Sequence, residues 1–325
     1  MSGQYRIKRR IAQVPIAENG VVTVDLPRGY DYESLAFRIY GNVNVTTAFA
    51  GAVRAEAPCQ LIKRIELVAD GKNTIDSIPF VLLNRGNVFR RGQLGSLTPP
   101  TSNAIATYPI EATAALDMGN MDGIRSKDSN LRTNGMSLLQ LRFTFGQTTD
   151  LFVAGAGAGN ISAMYVDIFS TEMIEQPDPA TGKLTTPLYL VKRTYQDIAI
   201  LASNANQQII LPIGNILRGV VIRAEGDVTA GEPSNGIVNN IQLASGIDVR
   251  FNMPGLDCRA LNKLDYQITS LPNGIYVVDM MSEGGFNAQA SEGWDLTHAS
   301  EAKLLLDVVG GANVKLTIET IELIQ

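Results

Sequence analysis

The stretch at residues 26–43, LPRGYDYESLAFRIYGNV, returns 185 positions later at residues 211–228 as LPIGNILRGVVIRAEGDV. With that offset held and no gap, Leu26, Pro27, Gly29, Arg38, Gly41 and Val43 fall on Leu211, Pro212, Gly214, Arg223, Gly226 and Val228. Leu35, Phe37 and Ile39 alternate with outward positions in one copy, as Val220 and Ile222 do in the other. Each run ends at a glycine where a strand would turn. Each copy therefore reads as turn, strand, turn, and the chain as two copies of one fold.

The repeat extends in both directions. Upstream, Tyr5, Ile7, Lys8 and Arg9 find counterparts in Tyr189, Val191, Lys192 and Arg193, and Glu18-Asn19-Gly20 reads as a turn between extended runs. Downstream, residues 61–69 (LIKRIELVA) closed by Asp70-Gly71 match residues 238–244 (VNNIQLA) closed by Ser245-Gly246. There the offset is 176, with Ile65 and Leu67 on Ile241 and Leu243. The fall in offset puts the longer loop in copy one, at residues 44–60, as surface connections tolerate. Pro79 opens PFVLLNRGNVFRR and Pro254 opens PGLDCRALNKLDYQ, one short helix per copy, with proline where a helix start tolerates its missing N–H. Residues 92–136 and 269–300 are polar excursions with strands expected near 108–114 and 275–280. Strands at 137–145 and 163–174 close the first copy, and strands at 302–309 and 314–324 close the second. At an offset of 150, Val166, Ile168, Glu172 and Ile174 fall on Leu316, Ile318, Glu322 and Ile324. Residues 176–187, QPDPATGKLTTP, have the composition of a linker between a first domain at 1–178 and a second at 186–325.

The bulk properties are those of a soluble globular chain: 325 residues with 45% hydrophobic content suffice for two domains with cores of their own. The net charge of -5 argues against a general nucleic-acid binder, and it is unevenly spread: residues 1–185 sum to +1 and residues 186–325 to -6. Cys59 and Cys258 form no disulfide framework and read as small buried hydrophobes in a chain that folds under reducing conditions. The opening MSGQYRIKRR leads into no continuous apolar segment, so no signal peptide is expected. Residues 151–166 are too short and too polar to span a bilayer.

The candidate chemistry is thin. Gly155, Gly157 and Gly159 invite a phosphate-loop reading, but a strand follows where such a loop needs a helix, so a hairpin loop is expected. Residues 117–123, DMGNMDG, hint at a calcium loop, but the register puts Met118 first and Ser129 twelfth, so both end ligands are missing. No cofactor is expected; a structural cation such as calcium, held between loops or subunits, is left without support. The single histidine, His298, stands near Trp294 and Asp295 with no local nucleophile, and a structural or surface role is expected. The four cations Arg6, Lys8, Arg9 and Arg10 have two readings. One is contact with an anionic surface; the other is a solvated strand edge whose charges discourage edge-to-edge pairing.

Seven or eight strands per copy at turn-punctuated spacing, with one short helix each, fit antiparallel two-sheet sandwiches of the jelly-roll kind. The expected class is all-β, two tandem jelly rolls. The duplicated LPxG and RxxGxV unit, the strand and turn IELVADG, the helix after Pro79 and the polar excursions resemble a known family. It is the double jelly-roll major capsid proteins of tailless, icosahedral, membrane-containing DNA bacteriophages, and the two-copy layout is most similar to the corticovirus type. The resemblance covers nearly the whole chain as architecture rather than as a short motif. It implies a non-enzymatic structural protein, synthesised in the host bacterial cytoplasm and resident in the virion capsid. Three copies with six jelly rolls would form a pseudo-hexagonal capsomer, tile an icosahedral shell over an internal membrane, and meet other capsid or vertex proteins. It further implies that residues 92–136 and 269–300 form outer towers and that the basic arm, Arg6, Lys8, Arg9 and Arg10, faces the membrane. The oppositely charged halves would complement one another around the ring. Tyr30, Tyr32 and Tyr40 against Asn215, Leu217 and Glu225 would give the two copies different outer faces. The rival readings are a carbohydrate-binding β-sandwich, disfavoured by one Trp and 6% aromatic residues, and a double jelly-roll glycan amidase, which needs acidic residues gathered between its sandwiches.

Overall fold

The computed structural model describes residues 5–91, 94–118, 129–153, 157–174, 189–226, 229, 231–280 and 293–324. In the first half, β1 (Tyr5–Pro15), β2 (Val21–Asp25), β3 (Asp31–Thr47), β4 (Ile62–Ala69) and β5 (Asn73–Ile78) lead into α1 (Phe80–Arg91). Then come β6 (Leu97–Thr98), β7 (Ala106–Asp117), β8 (Leu139–Phe145) and β9 (Ala158–Ile174). The second half runs β10 (Leu190–Ala199), β11 (Asn204–Ile210), β12 (Ile216–Glu225), β13 (Val238–Ser245), β14 (Asp248–Pro254) and α2 (Gly255–Asp265). It closes with β15 (Ile275–Asp279), β16 (Trp294–Asp295), β17 (Lys303–Val308) and β18 (Lys315–Ile324).

The pairing is nested. β1 pairs with β9, β2 with β8, β3 with β7 and β4 with β5, all antiparallel. One long two-stranded ribbon is thus folded over into two sheets, ordered β1-β9-β3-β7-β6 and β5-β4-β8-β2. The second half repeats the plan: β11 pairs with β17, β12 with β15 and β13 with β14, while β10 lies beside β18. Its sheets run β15-β12-β18-β10 and β11-β17-β13-β14. Eight main strands wound this way over two sheets make a jelly roll, so the chain carries one jelly roll in each half, as its sequence predicts. The equivalence reaches single bonds: Leu26 N–H donates to the Leu139 carbonyl at 2.8 Å, and Leu211 N–H to the Ala302 carbonyl at 2.9 Å.

Internal contacts divide the chain into two compact units, residues 1–84 with 95–192 and 325, and residues 85–94 with 193–324. The division falls inside α1 and inside β10. The compositional linker at 176–187 lies outside the described residues.

The repeated stretch builds a core in each unit. Leu35, Phe37 and Ile39 are buried in the first. Val220 and Ile222 belong to a cluster formed by second-unit residues alone, among them Ile241, Leu243, Leu304, Leu306 and Ile318. Each such side chain contributes about 2 kcal/mol by leaving water. The shared glycines have a backbone reason. Gly41 and Gly226 have φ of 149° and 94°, and an added Cβ would stand 2.6 Å from Met164 Cα and 1.8 Å from the Asn313 carbonyl oxygen. Their settings differ: Gly226 follows the last residue of β12, whereas β3 bulges between Tyr40 and Asn42 and runs on to Thr47. A bulge spares the ladder beyond it, so the strand need not end at the glycine.

Several expectations need correction. Tyr32 and Leu217 are each 1% exposed and Glu225 7%, so these three do not form outer faces. The Tyr32 hydroxyl donates to the Pro27 carbonyl at 2.6 Å, Leu217 joins the second core, and Glu225 pairs with Arg223 and Lys315. Tyr30 is the exposed member of its group, at 39%. Gly159 is no loop residue; it lies in β9 opposite Val45, and a side chain on Gly157 would strike the Phe49 ring at 2.3 Å. Phe49 stacks on Phe152 with ring centroids 3.9 Å apart. Gly155 lies outside the described residues. Strands β5 and β11, which no hydrophobic alternation announced, and β14, where Val249, Phe251 and Met253 alternate, complete the sheets. The two cysteines are free and buried, as expected.

Candidate functional site: the basic edge strand

The candidate site residues Arg6, Lys8, Arg9 and Arg10 fall on β1, the end strand of β1-β9-β3-β7-β6. Its alternating register against β9 sets Arg9 opposite Ser170 and Arg10 opposite Phe169. The three guanidinium groups are matched to three buried carboxylates. Arg6 Nη2 lies 2.5 Å from Glu33 Oε1. Arg9 grips Glu172 with both prongs, Nε at 3.1 Å and Nη2 at 2.9 Å. Arg10 Nη1 reaches Asp167 Oδ1 at 3.3 Å, where Gln13 also donates at 3.1 Å. Glu33 and Glu172 are each 1% exposed, so without the arginines their desolvated charge would be costly. Ser170 Oγ also donates to Glu172 at 2.6 Å, and the hydrogen bonds from Arg9 to Glu172 raise the Arg9 pKa above its ordinary value. The strand is thus tied down by its own cations rather than held as a loose arm.

Lys8 is different. It is exposed and forms no ion pair among the described residues, whereas the arginine side chains, 43–54% exposed, keep part of their charge at the surface. The sequence had not singled out Glu33, Glu172 or Asp167 as the counter-charges. A usable signal was present in Glu172, an acid in a closing strand and matched in the repeat by Glu322.

The other candidates do not assemble. His298 is exposed in a shallow recess with Ser245, Asp248, Arg250, Trp294 and Asp295. Ser245 Oγ donates to the Glu301 carbonyl at 2.6 Å, and Asp295 accepts from the N–H and hydroxyl of Thr297 at 2.9 and 2.6 Å. Those Thr297 hydrogen bonds lower the Asp295 pKa. Ser245 and Asp295 are committed elsewhere, so among the described residues these two form no nucleophile–base–acid relay with the histidine. Trp294 is 8% exposed and offers no stacking platform to a sugar. Of the calcium-like run, Asp117 ends β7 and residues 119–123 lie outside the described residues. No group of three or more His, Cys, Asp or Glu among the described residues could hold a metal ion. No described helix is long and apolar enough to cross a membrane.

No family model and no curated protein matches the sequence. Solved structures do match, over both jelly rolls. One is the major capsid protein of STIV, the Sulfolobus Turreted Icosahedral Virus, with TM-score 0.73 and 15% identity over 99% of this chain and 97% of that one. A second is the major capsid protein P2 of bacteriophage PM2, with TM-score 0.65 and 13% identity over 99% and 98%. The chain has the fold of these capsid proteins. The capsid-protein fold is also found in the quasi-atomic model of the PBCV-1 virus capsid, with TM-score 0.66 and 12% identity over 99% and 94%. In each case the capsid-protein fold accounts for nearly the full length of both chains, so the duplication belongs to the match.

Proposed function

We propose that the chain is the major capsid subunit of an icosahedral virus, a structural protein rather than an enzyme. The observation that carries this reading is the pair of nested eight-stranded rolls in one chain, matched end to end by capsid proteins with the same whole-chain course. Three copies, each with rolls bounded near residues 178 and 186, assemble into a pseudo-hexagonal capsomer, and capsomers tile a shell over the internal membrane of a DNA bacteriophage. The chain is made in the bacterial cytoplasm and ends in the virion, where it meets further copies and vertex proteins without reading nucleic-acid sequence. The connections that flank β7 and β15 within residues 92–136 and 269–300 stand outermost, and β1 faces lipid. The duplication supports a near-hexagonal outline from three chains, because two similar rolls per chain supply six similar units, and unequal surfaces that meet head to tail form a ring when the rotation between neighbours closes. Light scattering and negative-stain microscopy of the purified chain test the proposal. A mass of three chains with pseudo-hexagonal particles is expected, and a monomer that never forms trimers, sheets or shells overturns it.

A further inference from the structure

Helix α2 is amphipathic the wrong way round for an isolated subunit. Its inward face consists of Gly255, Cys258, Arg259 and Asn262. Arg259 Nη1 donates to the carbonyls of Pro272 and Ile275 at 2.8 and 2.6 Å. Asn262 exchanges two hydrogen bonds with the backbone of Val277, at 2.9 and 3.0 Å. The leucines face the other way. Leu256, Ala260 and Leu264 follow one another at intervals of four on the outer face, with Leu256 65% and Leu264 72% exposed, and Leu261 beside them at 40%. A surface helix normally turns its apolar stripe to the core, and clustered exposed leucines mark a contact surface.

The duplication says what kind of cover is missing. At the offset that aligns Pro79 with Pro254, Val81 and Phe89 of α1 occupy the positions of Leu256 and Leu264. Val81 is 7% and Phe89 5% exposed, and the Phe89 ring is capped edge-on by Tyr266 at 5.2 Å. The chain covers the outer face of α1 with its own residues and leaves the equivalent face of α2 bare. In a closed assembly of pseudo-repeats, a contact made inside each chain recurs between chains. We infer that the outer face of α2, built on Leu256 and Leu264, docks against a second copy of this chain and is a principal subunit contact of the assembly. This inference rests on the capsomer reading and names the surface that holds it together.

The test uses the full chain carrying Leu256→Gln and Leu264→Gln together, with Leu201→Gln, at a site 75% exposed on the β10–β11 connection, as a control. Mass is followed by light scattering over a dilution series and folding by circular dichroism. Wild type and Leu201→Gln should be multimers of the 35.0 kDa chain, whereas the double variant should keep its β-sheet spectrum and need at least tenfold more protein to assemble. If the double variant does not fold, Leu264→Gln alone is read by the same criterion. A folded variant that assembles like wild type overturns the α2 contact and leaves the capsomer reading standing. A wild-type chain that stays monomeric at every concentration overturns both.

Discussion

The four glycines of the repeated stretch share a backbone requirement but not a steric one. All have positive φ, from 90° at Gly214 to 149° at Gly41, yet a Cβ at Gly29 or Gly214 meets nothing within 4 Å, while one at Gly41 or Gly226 would clash with backbone. Alanine at Gly29 or Gly214 should cost about 1–2 kcal/mol from backbone strain alone. At Gly41 or Gly226 it should cost about 3 kcal/mol or more, because Met164 or Asn313 must also move. Urea unfolding of the four variants checks the order; equal losses would show that the close contacts are relieved without cost. Glu225 gives a pH-dependent case. Burial alone would raise its pKa, but Arg223 and Lys315 outweigh this and hold it below 4.5. A lowered folded pKa contributes stability above the unfolded value, lost as pH falls through the folded one. Glu225→Gln should therefore lose about 3 kcal/mol near neutrality, since Arg223, 2% exposed, loses the carboxylate charge it pairs with there. Its stability should also vary less than wild type's as pH drops below about 4.5. Denaturation curves at a series of pH values would refute this if the two proteins declined in parallel. The arginines of the repeat were legible as shared residues, but their roles were not: Arg38 forms a half-exposed fork with Glu111, while its counterpart Arg223 is sealed inside. Sequence spacing fixes a residue's place on a strand, not what lies across the sheet from it.

At the scale of elements, alternation revealed the strands that line the cores and failed at the edges. β11, NANQQII, is a mostly exposed end strand with no apolar face for a period of two to display. β14, DVRFNMP, at the other end of that sheet, does alternate, with Val249, Phe251 and Met253 at every second position and Phe251 and Met253 packed against the core. β1 is an edge of another kind, because its cations identify it while their partners sit 27 to 163 residues away. The roles within β1 can be separated. Arg9→Ala should destabilise the first jelly roll by about 1–3 kcal/mol, since Glu172 is left buried without its fork and the half-exposed arginine tempers the loss. Lys8→Gln should leave stability unchanged. If β1 faces lipid, Lys8→Gln should weaken binding of assembled shells to anionic vesicles, and undiminished vesicle binding would refute that orientation. Helix starts were well marked by Pro79 and Pro254, each standing immediately before its helix, but nothing in a helical wheel says that leucines will face out when arginine and asparagine have strand carbonyls to bind.

At the scale of the molecule, duplication was the most legible feature because offsets of 185, 176 and 150 keep the same order of elements, and the nested pairing makes the two rolls equivalent strand by strand. The -6 of the second half against the +1 of the first should make assembly salt-sensitive if unlike halves meet around a ring. Association followed by light scattering between low and high ionic strength should weaken as salt rises; salt-independent assembly would assign cohesion to apolar contacts such as the α2 leucines alone. The nested pairing also sets a schedule for synthesis. β1 leaves the ribosome first, yet its partner, β9, does not end until Ile174, so about half of the chain must be made before the first strand can pair. Local hairpins such as β4–β5 can form early, but the ribbon's open end stays unpaired, an exposed strand edge during the slowest part of folding. The charges along β1 thus suit the unfinished chain as well as the folded one: they disfavour pairing of a waiting strand with other chains until the carboxylates that receive it have been made.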